Sequence, residues 1–118
     1  MGLQPTDREV LLRLMSAAAL RQHVLAGNVA NQNTPGYRRR DVRFEELLVR
    51  ELGRSTPRIE RLQPEIVVDE LTPASPDGNN VSMEVEQSLM RENQLLFELF
   101  AALLQGRGDL TRSALGGR

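Results

Sequence analysis

The stretch LAGNVANQNTPGYRRRD, Leu25 to Asp41, decides how the rest of the chain is read. Its first half keeps helical apolar spacing while carrying Asn28, Asn31 and Asn33. It then stops at Thr34-Pro35-Gly36-Tyr37 and runs into Arg38, Arg39 and Arg40. Pro35 disfavours the α conformation at Thr34, and Pro-Gly suits the central positions of a type II turn with a positive φ at Gly36. A helix therefore ends here. Followed back towards the N-terminus, Leu11, Leu14, Ala18, Leu25 and Asn28 fall on an i, i+3, i+4 seam. The spacing predicts one helix over Asp7 to Asn33, about 40 Å long, with Thr6 or Asp7 as its N-cap.

Followed forward, a second long helix is expected after the turn PDGNN, Pro76 to Asn80. It runs from Ser82, its N-cap, to Gln105, and Gly106 stops it. Val85, Leu89, Glu92, Leu96, Leu99 and Leu103 alternate in steps of four and three, as a coiled-coil seam does. Met83, Met90, Phe97, Phe100 and Leu104 widen that face. Between the helices, Asp41 to Leu52 reads as a short amphipathic helix through Phe44, Leu47 and Leu48. Pro57, Pro64, Pro73 and Pro76 break up the stretch Arg54 to Pro76, in which Glu65 to Leu71 can form a strand.

The predicted fold is mainly α: the N- and C-terminal helices form an antiparallel, coiled-coil-like pair, joined by a short helix and a proline-rich loop or small β insert. Three segments, 1–37, 38–76 and 77–118, make one domain. In the expected register Leu11 faces Leu103, Leu14 faces Leu99, Ala18 faces Leu96, Leu25 faces Leu89 and Asn28 faces Val85. Arg21 and Glu92 would then share one layer, with His23 and Asn93 alongside. Both helices are apolar or small nearly all round, more than a two-helix pair can bury, so other chains are expected to supply walls. Buried asparagines such as Asn28 and Asn31 cost free energy unless paired, and they specify register. A compact monomer in which the Asp41 to Leu52 helix covers the open face is the alternative.

Composition narrows the chemistry. The chain has 118 residues, 40% apolar and 26% charged, with a formal net charge of -1 and no cysteine. Disulfides, thiolate metal sites and cysteine nucleophiles are excluded. A single histidine, His23, leaves metal clusters and Ser-His-Asp triads little to build on. The acidic pairs Asp69/Glu70 and Glu84/Glu86 sit where solvation and helix capping are their ordinary roles. Gly27, Gly36 and Gly78 form no phosphate-cradling spacing. Neither a secretory signal nor a run of roughly 20 apolar residues is found. Met1-Gly2 with Thr6 matches a myristoylation pattern too short to carry weight, and Asn80-Val81-Ser82 is a glycosylation sequon with no secretory context to support it. The expectation is therefore no catalytic residues, no metal, no cofactor and no small-molecule substrate. Arg38-Arg39-Arg40, with Arg43 and Tyr37, is the one feature that suggests an anionic partner. At net charge -1 it reads as a solvated patch past a helix C-terminus, or as a subunit-to-subunit ion-pair surface, ahead of nucleic acid.

Two longer stretches carry a family resemblance. GNVANQNTPGYRRRDVRFEELL, Gly27 to Leu48, resembles the Asn-x-Ala-Asn-x-x-Thr-Pro-Gly-Tyr signature of the bacterial flagellar rod and hook axial proteins. DGNNVSMEVEQSLMRENQLLFELFAALL, Asp77 to Leu104, is similar to the C-terminal element of the proximal-rod, B-type branch of that family. Asn28, Ala30, Asn31, Thr34, Pro35, Gly36 and Tyr37 match the first motif, and Asp77, Gly78, Asn79, Asn80 and Val81 the second. Ser82 replaces an expected aspartate, and Phe97 stands where tyrosine is commoner. The resemblance implies a non-enzymatic structural subunit of the flagellar basal-body rod, self-assembling through its terminal helices into a helical tube for motility. It implies contacts with copies of itself, with other rod proteins and with adaptor and export-gate proteins at the rod base. It also implies type III export without a cleaved signal peptide to the periplasmic rod. The C-type short rod protein is the nearest rival, and an arginine-rich helical nucleic-acid binder a more distant one.

Overall fold

The computed structural model describes residues 5–106. Met1, Gly2 and the end of the third predicted segment, residues 107–118, lie outside the described residues. The chain runs α1 (Pro5–Ala30), β1 (Arg40–Arg43), α2 (Glu45–Leu52), a single 3₁₀ turn at Ile59–Arg61, β2 (Glu65–Val68) and α3 (Met83–Gln105). It is mainly helical, with one small two-stranded sheet.

α1 places Thr6 and Asp7 inside the helix rather than at its cap. Pro5 is tolerated in a first turn, where its missing N–H has no helical acceptor to lose. The helix ends three residues sooner than expected. Asn31 turns its side-chain amide back onto the Gly27 carbonyl at 2.9 Å, competing with the backbone ladder, and residues 31–33 close as turns. Ser82 caps α3 as expected, its hydroxyl accepting from Val85 N at 3.5 Å, and Gly106 ends it.

The middle segment is strand, helix, turn and strand. Residues 41–43, predicted as the start of a helix, instead belong to β1, which pairs antiparallel with β2 in the register Arg40↔Val68 to Arg43↔Glu65. Tertiary pairing outweighs helix propensity over so short a stretch. The Val42 carbonyl also accepts from the Arg21 guanidinium at 3.0 Å. From Phe44 onward the amphipathic pattern holds. Phe44, Leu48 and Ile59 close around Ala17, with Val10, Leu14 and Leu62 packed against them. Part of the expected missing wall is therefore internal: α2 and the 3₁₀ turn cover the first half of α1.

α3 lies along the second half of α1. Asn28 reaches Glu86, while Ala18 and Gln22 reach Asn93, so residue numbers rise along one helix as they fall along the other. The face differs from the predicted seam. Glu86 and Asn93 are the buried positions, whereas Val85 and Leu99 are 49% and 43% exposed and Glu92 faces solvent. α3 is turned by about one residue, because Glu86 and Asn93 find hydrogen-bond partners on α1 that Val85 and Glu92 could not use. Arg21 accordingly pairs with Glu45 at 2.6 Å instead of Glu92, and His23 is exposed.

Candidate functional site

The two sequence motifs meet. In the first, Tyr37 N bonds to the Thr34 carbonyl at 3.2 Å across Pro35 and Gly36, and Gly36 has φ 76°, the left-handed value a type II turn requires at that position. In the second, Gly78 N bonds to the Ser75 carbonyl at 2.8 Å, and the Asp77 carboxylate accepts from the Ser75 hydroxyl and Asn79 N. The turns touch backbone to backbone. Gly36 N donates to the Asp77 carbonyl at 2.9 Å, and a Cβ added at Gly78 would stand 3.2 Å from Gly36 Cα.

Asparagine side chains lock this contact. Asn79 Nδ2 donates to the Asn31 carbonyl at 2.9 Å and to the Thr34 carbonyl at 2.8 Å, closing the open end of α1 from across the junction. Its Oδ1 accepts from Val81 N at 2.7 Å. Asn80 Oδ1 accepts from Arg39 N at 2.6 Å, while its Nδ2 donates to the Asp69 carbonyl. Asn80 N meets the Tyr37 carbonyl at 3.3 Å.

Beneath the turns lies a buried ionic cluster. Asn28 uses its whole amide: Nδ2 donates to the Arg40 carbonyl at 2.8 Å and to Glu86 Oε1 at 2.7 Å, and Oδ1 accepts from Arg40 N and the Tyr37 hydroxyl. Glu86, with no exposed surface, accepts two bonds from the Arg39 guanidinium, at 2.8 and 3.2 Å. Arg39 also reaches Asp69 at 3.1 Å and Asp41 at 3.6 Å. Burial works against the charge on Arg39, but Glu86 and then Asp69 outweigh it and hold the guanidinium protonated well above its ordinary range. The Thr72 hydroxyl and N–H, followed by Arg39, hold the Asp69 carboxyl well below the usual carboxylate range. The Ser75 hydroxyl and Asn79 N–H lower that of Asp77.

Of the first motif, Asn28, Asn31, Thr34, Gly36 and Tyr37 act at the junction, whereas Ala30 and Pro35 are exposed and contribute shape. Of the second, Asp77, Gly78, Asn79 and Asn80 act there, and the Val81 N–H is held by Asn79. Of the predicted helix-pair residues, Leu11, Ala18 and Leu25 are buried, and Leu89, Leu96 and Leu103 are half-buried. Leu14 packs on the α2 cluster. Residue-by-residue reading put Arg39 in a solvated or subunit-to-subunit patch, gave Asp69 and Glu86 solvation or capping roles, and set Asn93 beside an Arg21–Glu92 layer, so it missed the parts they play here. Glu86 and Asn93 are seven apart, which marks a shared helix face, and Arg39 alternates with Arg38 and Arg40 along an extended segment. Among the described residues, no group of three or more acidic or histidine side chains is placed to hold a metal. The arrangement is one that fixes backbone against backbone.

A family model described as flagella basal body rod protein matches residues 10–38, which span α1 and the first turn. The chain is similar to the flagellar basal body rod protein FlgB of Escherichia coli, at 32% identity over 79% of this chain and 80% of that protein. It is similar to the FlgB of Cereibacter sphaeroides, at 34% over 82% and 84%, and to that of Bacillus subtilis, at 26% over 87% and 88%.

Proposed function

This chain belongs to the FlgB family of flagellar basal body rod proteins, and from that premise we propose that the junction between its two turns fixes the terminal helices as one assembling unit. It is a structural subunit of the bacterial flagellar basal-body rod. In our reading α1 and α3 pair in antiparallel, coiled-coil-like fashion, and the three sequence segments act as one domain. The unit builds into the rod wall against copies of itself, other rod proteins and the adaptor and export-gate proteins at the rod base. It works without catalysis or cofactor, and it reaches the periplasmic rod by type III export without a cleaved signal peptide. Among the described residues no helix is long and apolar enough to cross a membrane.

One observation carries this reading. Asn79, from the second motif, closes the carbonyls of Asn31 and Thr34 in the first, so motifs 45 and 48 residues apart form a single structure. Nucleic-acid binding has less support, because Arg39, the middle of the arginine run, is held inside by Glu86 and Asp69. The deciding experiment is mass spectrometry of purified basal bodies, in which the chain is expected as a rod component and its absence would refute the reading. Gly36→Val is expected to impair rod incorporation and motility, since a β-branched residue resists φ 76°. Wild-type motility in that variant would remove the junction argument.

A further inference from the structure

β1 and β2 form a sheet of only two strands, so each strand has an outer edge. On β1 side chains satisfy the outward backbone groups. The Arg40 N–H and carbonyl bond to the Asn28 amide, the Val42 carbonyl accepts from Arg21, and the Val42 N–H donates to the Asp41 carboxylate. On β2 nothing does. The bond from Asp69 N to the Arg39 carbonyl fixes the phase of the antiparallel ladder. Asp41↔Val67 and Arg43↔Glu65 are then the bonded pairs, and Ile66 and Val68 turn their N–H and carbonyl groups away from β1. Side chains bond to the backbone of this stretch only from the Asp69 carbonyl onward. Those four outward groups have no partner among the described residues.

The side chains at this edge are uncovered as well. Ile66, Val67 and Val68 are 52%, 36% and 50% exposed, and Leu71, three residues on, is 94% exposed. Leu71 is held in place, because its N–H and that of Thr72 bond to Asp69 Oδ1 while the Thr72 hydroxyl bonds to Oδ2. Outer strands are ordinarily guarded by charge, proline or a bulge within the strand. Here the only charge is Glu65, at the first position, and the β-branched triplet after it stands unguarded.

Outward donors and acceptors two residues apart are matched by an extended backbone, and the exposed β-branched side chains suit apolar neighbours. The flanks set the charge of that neighbour. Glu65 is exposed with only a loose contact to Arg43, at 3.8 Å, and Glu70 is exposed without an ion-pair partner among the described residues. A second copy of this chain fits poorly. Two β2 strands in the antiparallel register that bonds Ile66 to Val68 would set Glu65 opposite Asp69, like charge against like. The basic strand, β1, already has both edges occupied. We propose that the outer edge of β2 takes up a strand from another protein, an extended segment with apolar, β-branched residues in its middle and an arginine or lysine at each end. The proposed function engages the helices and the junction and leaves this edge free, so the docking role does not depend on the rod reading.

Titration of the full chain with the peptide acetyl-Arg-Val-Thr-Ile-Arg-amide, followed by NMR and amide hydrogen exchange, tests this edge. Saturable binding below about 1 mM peptide is expected, with exchange at the Ile66 and Val68 amides slowed about tenfold or more and the Val67 amide, already in the ladder, little changed. Methylating the peptide's backbone nitrogens at valine and isoleucine removes two main-chain donors and should weaken binding about tenfold or more. Replacing both arginines by glutamate should weaken it as well. Val68→Pro removes an outward N–H and no ladder bond, and should weaken binding about tenfold or more. Ile66→Lys guards the edge with a charge, leaves the backbone intact and should act in the same direction. No saturable binding, protection confined to other amides, or equal binding of the methylated and parent peptides would each overturn the proposal. Protection of Ile66 and Val68 that rises with protein concentration and needs no peptide would assign the edge to a second copy, and would overturn it too. None of these outcomes bears on the presence of the chain in basal bodies, which tests the rod reading separately.

Discussion

Glu86 is the residue on which the junction turns. A carboxylate with no solvent contact is tolerated only because Arg39 and Asn28 bond both of its oxygens. Glu86→Ala leaves the Arg39 guanidinium buried beside Asp69 and Asp41 alone, and should cost about 3–5 kcal/mol in chemical denaturation. Pairing it with Arg39→Met should recover much of that loss, because the uncompensated charge is then gone; no recovery would show that geometry rather than charge dominates. Asp69 makes the same cluster acid-sensitive. Its folded carboxyl titrates below its unfolded value, so its stabilisation is complete above the unfolded pKa of about 4 and is lost as pH falls below that through the folded value. Thermal melts should therefore drop on acidification below about pH 4, and Asp69→Asn should be less stable at neutral pH but fall less steeply. An unchanged acid limb in that variant would assign the sensitivity elsewhere.

At the level of elements, α2 shows how local pattern and tertiary pairing divide the chain. Phe44 starts the helix and is 1% exposed against Ala17, Leu48 and Ile59. Phe44→Ala should cost about 3–5 kcal/mol and undock α2 from α1, read as lost hydrogen-exchange protection over residues 44–52 with α3 little changed. Loss spread evenly over α3 would contradict that separation. The elements were legible where a physical rule acts locally: Pro35 and Gly36 marked the turn that follows α1, Ser82 and Gly106 bounded α3, and β-branched Ile66-Val67-Val68 formed β2. β1 was not legible, because Arg40–Arg43 becomes strand only through β2, more than 20 residues away. The rotation of α3 was hidden for a related reason. Apolarity favoured Val85 for the seam over Glu86, and nothing near Glu86 in sequence announces Arg39 and Asn28 as its partners. The motif asparagines were legible as positional devices, and their partners became visible only with the turns in contact.

For the whole molecule the question is how much of the helical surface the chain covers by itself. Its radius of gyration is 17.3 Å and its extents are 55 × 40 × 17 Å, whereas a compact domain of comparable length has a radius near 13 Å. A flat molecule of this kind leaves faces open. Leu12 on α1 and Val85, Leu95 and Leu99 on α3 are large apolar side chains in solvent, and the beginning of α3 is joined to α1 through a junction that is polar throughout. Helices in proteins owe most of their stability to packing of an apolar face, and a half-covered face supplies only part of it. The isolated chain should therefore be less helical than the assembled one, and its helicity should rise with concentration as copies supply the missing walls. The α1 half under α2 should persist on dilution, and the distal part of α3, residues 95–105, should fray first, because none of its residues is fully buried whereas Glu86 and Asn93 anchor the part before it. Circular dichroism across a dilution series, with hydrogen exchange at its two ends, measures both expectations. Full helicity in a monomer, independent of concentration, would mean that α2 and the junction suffice and that the exposed leucines are not waiting for a neighbour.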